Sequence, residues 1–289
     1  MRELPAHIME AVHSYSPVTI NGFTLYPIRV RNYTQLLVAR QGISFMQQSL
    51  PVELMNMPFL QALYRVDFDR TINGEPTTGL FASCLVALAY ALRLTYWDET
   101  AEEACKRFKI QVDTENPGLL KGLLFDIDGD ESMFMSPQQF NRVREVIAAQ
   151  NGISIQEDDD NPELVQAEQD IVSQKAPNLD INVYSMVHSM AALTHTDEAE
   201  IFDWPILKLH HRMESFKKIL DYMVCGIGES QGTKWKGGNP CPNPWFDKLS
   251  AGKGGLVSLG EFAGGQATQT VLEGAAAQQH LSIVKDTEE

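Results

Sequence analysis

Residues 79–92, GLFASCLVALAYAL, carry no charged side chain, and this run constrains the fold more than any other stretch of the chain. A helix that is apolar on every side must be enclosed by other elements. The run is shorter than the roughly 20 residues needed to cross a bilayer, and it stops at Arg93. It predicts a buried core helix.

Around that helix the chain is rich enough in apolar residues to build a core. Of its 289 residues 44% are apolar and 21% charged, which suits a globular protein and is too apolar for a wholly disordered one. The formal charge is −15, from 38 acids and 23 Lys and Arg, so most of the surface should repel nucleic acid. The charge is uneven. Residues 154–203 hold twelve acids and one base, Lys175, whereas residues 208–253 hold eight bases and four acids, an asymmetry that marks a change of partner or order. Cys84, Cys105, Cys225 and Cys241 form no C-x-x-C, and the opening MRELPAHIMEAVHSY lacks a secretory apolar segment. Reduced thiols in a cytoplasm are expected, and neither a membrane span nor a cofactor.

Element signals are clear in places. Asn21-Gly22 sits between two β-prone runs in residues 18–30, the pattern of a two-residue hairpin whose central residues need positive φ. Asn32 should cap a helix running to about residue 50, where Pro51 stops it. Met57-Pro58 restarts a helix through Tyr64, followed by a polar loop over residues 70–78. Residues 108–112 and 119–127 read as strands, with Asp128-Gly129-Asp130 turning the second back toward residues 133–135. Ser136-Pro137 opens a helix that Asn151-Gly152 closes. Asn161-Pro162 repeats that start signal, a further helix begins near Asp180, and Asp197 with Glu200 has capping-box spacing. Trp204-Pro205 interrupts that segment before a long helix to about Gly226.

The predicted class is α+β and predominantly helical, with a small N-terminal hairpin or sheet, a multi-helix body and a flexible C-terminal tail. Three regions follow: residues 1–152 with hairpins and helices, a helical stretch 153–227, and a Gly/Pro-rich, partly disordered tail 228–289.

Three patterns that resemble chemistry have plainer readings. Gly228-Glu229-Ser230-Gln231-Gly232 matches the G-x-S-x-G of a hydrolase elbow, but that motif needs a strand before it and a helix after it. A helix precedes Ser230 here, so glycines past a helix end account for it better. Asp126, Asp128 and Asp130 begin like a calcium loop, yet Glu131 stands where Gly is needed and Pro137 where a bidentate Glu should be. His188, His195, His210 and His211 lack zinc spacing; His188 should face a core or groove, and His210 and His211 point to different helix faces. No catalytic, cofactor-binding or metal-binding residue is assigned, and no enzymatic activity is expected.

The positive signal lies after Pro205. Ile206, Leu209, Met213, Phe216, Leu220, Met223 and Ile227 alternate three and four residues apart, like the a and d positions of a heptad repeat. The stripe suits either the protein's own core or a partner helix, and its methionines suit an adaptable groove. Beyond it, KWKGGNPCPNPWF places Trp235, Trp245 and Phe246 among basic and turn residues. These aromatics either fold back on the body or anchor a partner.

Several stretches also resemble proteins of tailed bacteriophages and prophages of Gram-positive bacteria. They are INGFTLYPIRV, LLVARQGISFMQQSLP, VREVIAAQNGI, NPELVQAEQDI, EIFDWPI, ILDYMVCGIGESQG and KWKGGNPCPNPWF, spread over residues 18–246. In general character the chain is similar to tail assembly chaperones: acidic, largely helical and opening with a small hairpin. That resemblance implies binding to the tape-measure protein and to tail-tube subunits in the bacterial host cytoplasm, through helix 205–227 and segment 234–246. Homo-oligomer formation is allowed, with no nucleic acid or membrane partner. Alternatives are a virion component, such as a connector, neck or baseplate subunit, and a hydrolase using Ser230.

Overall fold

A computed structural model of the chain describes residues 4–95, 98–127, 131–155 and 182–232. The fold is α+β and mostly helical, with two small antiparallel sheets among the described residues. The chain divides into two compact units, residues 1–211 and 212–289.

The first unit opens with α1 (Ala6–His13), whose Ile8 and Val12 are buried one turn apart. The hairpin follows as predicted: β1 (Val18–Ile20) pairs with β2 (Phe23–Leu25) across Asn21 and Gly22, at φ 52° and 83°. Next come α2 (Tyr33–Ile43), α3 (Val52–Met55), α4 (Phe59–Ile72) and α5 (Leu80–Ala91). The apolar run is α5, and every residue from 83 to 91 is buried. Helices α2 and α4 pack on it, as do α6 (Ala101–Cys105) and α7 (Pro137–Gln150).

The second sheet has order β3-β4-β5, from β3 (Lys109–Val112), β4 (Leu120–Ile127) and β5 (Glu131–Met135). Ile127 pairs with Glu131, so the strands meet as the Asp-rich turn signal requires. Asp128 and Asp130 themselves lie outside the described residues. Leu123, Phe125 and Met135 bury one face, and Phe134 covers the β-carbon-free surface of Gly122 on the other.

Three boundaries differ from the sequence reading. Helix α2 ends at Ile43, well before Pro51, because the next segment folds on its own polar groups. Gln47 donates its side-chain amide to the carbonyls of Leu54, Met55 and Met57 at 2.8–3.1 Å, and Ser44 donates its hydroxyl to Arg40. Helix α4 continues to Ile72 rather than stopping at Tyr64; Tyr64 stacks on Phe68, and Arg65 pairs with Asp69 one turn on at 2.8 Å. Asp197 caps α9 (Glu198–Phe202) through Ala199 N–H, but Glu200 reaches forward to Trp204 Nε1–H instead of closing a capping box.

The boundary between the two compact units falls at residues 211 and 212. The segment after the hairpin draws α8 (Val183–Thr194), α9 and the start of α10 (Ile206–Ser230) into the first unit. Along it, Tyr26 N–H donates to Ala91, Ile28 N–H to the Asn151 side chain and Val30 N–H to Trp204, at 2.7–2.9 Å. Ile206 N–H returns a bond to Ile28 at 3.0 Å. The helix expected from residue 161 and the tail beyond 232 lie outside the described residues.

Candidate protein-interaction surface

Helix α10 begins as core. Ile206 and Leu209 are 0% exposed, so these two positions of the predicted binding seam are sealed within the first unit. Pro205 starts the helix beside the buried Trp204, and their neighbours are the backbone of residues 28–30, which explains the burial. His210 meets Tyr33 edge-on, and His211 Nδ1 lies 3.0 Å from the Tyr15 hydroxyl. The two histidines face different partners, as their adjacency predicts. Burial, with smaller contributions from the charges of His211 and Arg40, holds the His210 imidazole below its ordinary pKa.

Past His211 the same stripe changes character. Met213 and Phe216 are half-buried, whereas Leu220, Met223 and Ile227 are 51%, 56% and 55% exposed. Val224, between them, is 68% exposed, while the next residue, Cys225, is only 5% exposed. Cys225 is thus the one buried residue of this turn, and the exposed apolar stripe lies on the side away from it. At 100° per residue, Met213, Phe216, Leu220, Met223, Val224 and Ile227 span a sector roughly 100° wide. Ile219 extends it along one edge and is exposed as well. Val224 and Ile219 were missed in the sequence because a strict a and d template skips them; the wider stripe of a docking helix includes them.

Trp235, Trp245 and Phe246 lie outside the described residues. Cys84 and Cys105 are free thiols, but Cys225 stands in a disulfide, which departs from the uniformly reduced state expected. Widely spaced cysteines carry no local signal of such a bridge, which depends on tertiary approach.

The other patterns have ordinary placements. Ser230 ends α10, and its hydroxyl donates to the Ile227 carbonyl at 2.7 Å in the last helical turn. His188 is exposed rather than turned to a core or groove: its Nδ1 lies 2.6 Å from Glu198 across the short α8–α9 turn, which draws the ring outward. Asp126 sits exposed on β4. Among the described residues no group of three or more His, Cys, Asp or Glu is placed to hold a metal ion, and no helix is long and apolar enough to cross a membrane.

Compared with known proteins, the chain matches no family model, no curated sequence and no solved structure.

Proposed function

We propose that this chain works by binding, and that its C-terminal helix docks an amphipathic helix of another protein during bacteriophage tail assembly. The carrying observation is the open stripe Leu220, Met223, Val224 and Ile227, each more than half exposed on one side of the helix. Exposed apolar side chains this close together lose little by association, and burying the exposed half of each is worth about 1–1.5 kcal/mol. Met223 adds a flexible, polarisable surface that adapts to a partner helix. The tailed-phage resemblance supplies the partners. The tape-measure protein is a long helix with an apolar face that must stay soluble until tail-tube subunits assemble around it, and an acidic chaperone in the host cytoplasm meets that need.

The test is co-expression with a tape-measure protein of a tailed phage, followed by size-exclusion chromatography. The parent chain is expected to elute with its partner, and Leu220→Asp/Met223→Asp to lose the complex. Unchanged co-elution of that variant overturns the docking face. A chain that remains in purified particles, detected by mass spectrometry, overturns the chaperone role in favour of a virion component.

A further inference from the structure

The charges beside the open stripe say which kind of helix it takes, given the docking reading above. With Met213, Phe216, Leu220, Met223 and Ile227 at a and d, the flanking e and g positions are Arg212, Lys217, Ile219, Val224 and Gly226. They contain two bases and no acid. The acids of this stretch of helix, Glu214 and Asp221, fall at b, turned away from the stripe, and Glu214 pairs with Lys218 one turn on at 3.2 Å. Positive charge therefore flanks the first part of the apolar sector, beside Met213 and Phe216, in a chain whose net charge is −15.

In a two-helix contact, e and g residues face their counterparts across the seam and set partner choice. In a parallel pair of this helix with itself, g meets the e position five residues further on, so Arg212 would face the other copy's Lys217. In an antiparallel pair e meets e, so Lys217 faces the other copy's Lys217 when Phe216 packs on Leu220, and faces its Val224 when Leu220 packs on Met223. Self-pairing is opposed in the parallel pair and in one antiparallel register and gains no charge attraction in the other, so a helix with Glu or Asp beside its own apolar stripe is favoured. The Debye length is about 8 Å at physiological salt, so these adjacent contacts outweigh the acidic bulk of the chain.

We propose that the occupant of the stripe is an amphipathic helix with acidic flanks, which Arg212 and Lys217 favour over a second copy of this chain. The apolar stripe supplies most of the affinity, while Arg212 and Lys217 supply the selection.

Two labelled peptides of about 21 residues test this, three heptads with Leu at a and d in both. One carries Glu at e and g, the other Lys; each is titrated with the full chain and followed by fluorescence anisotropy. The Glu peptide is expected to bind about tenfold tighter at physiological salt, since exchanging attraction for repulsion at two flanking sites is worth roughly that factor. The preference should shrink at high salt and invert in Arg212→Glu/Lys217→Glu. Equal binding of the two peptides, or a preference unchanged in that variant, overturns the inference. If Leu220→Asp/Met223→Asp abolishes binding of both while the parent chain shows no preference, the docking face stands and the charge selection fails. If that variant binds as the parent does, the docking face fails as well. Sedimentation that shows a dimer dissolved by Leu220→Asp/Met223→Asp overturns the preference for such a helix over a second copy.

Discussion

Gly42 marks the tightest contact between α2 and α5. A β-carbon there would lie 2.7 Å from the Leu80 carbonyl oxygen and 2.8 Å from the Cys84 nitrogen, both backbone atoms that cannot swing aside. Gly→Ala inside a helix ordinarily gains up to about 1 kcal/mol, but forcing two packed helices apart costs about 1–3 kcal/mol. Gly42→Ala should therefore lower stability in urea unfolding. Cys84, in the same contact, is fully enclosed, and burial pushes its thiol up to about 12 against the opposing charge of Arg144. His210 gives the protein a pH dependence of known sign. Its folded pKa lies below the ordinary 6.5, so protonation favours the unfolded chain. The contribution is neutral above about pH 6.5 and becomes destabilising as pH falls through that value toward the folded pKa. His210→Gln should flatten the slope of Tm against pH in that window, and an unchanged slope would assign it to other groups.

At the scale of elements, local chemistry and burial speak through different signals. Helix α7 starts where Ser136-Pro137 says it must: Ser136 Oγ accepts Gln139 N–H, and Gln139 reaches back to Ser136 N–H. Helix α10 is legible as an amphipathic helix, yet its repeat looks the same on either side of His211. Only the neighbours distinguish a buried first turn from an open stripe. It follows that Leu220→Asp/Met223→Asp, aimed at exposed positions, should shift stability by no more than about 0.5 kcal/mol per site while removing binding. Circular dichroism and Tm check this. A large loss of stability would mean that the stripe is covered in the native protein.

For the first unit as a whole, the buried Asn151 joins parts distant in sequence. Its Oδ1 accepts Ile28 N–H at 2.9 Å, and its Nδ2 donates to the Ile147 carbonyl at 2.7 Å. The sequence marks Asn151 only as a helix end before Gly152. Asn151→Ala leaves a buried N–H without its acceptor and should cost about 1–3 kcal/mol. The loss would be read from the denaturant midpoint at unchanged m-value. The strap over residues 26–30 that it holds also receives Trp204 and Ile206, which is why the start of α10 packs beside the segment that follows the hairpin.

What the sequence determined by itself was local: the Asn-Gly hairpin, the capped α7, the enclosed apolar α5, the break at Trp204-Pro205 and the periodicity of α10. Each depends on φ preference, capping or spacing among residues a few positions apart. Tertiary structure alone decided which part of the α10 stripe is core and which is open, that α2 stops at Ile43, and where the chain divides. Those outcomes depend on which surfaces cover which, and residues far apart in the chain set that coverage.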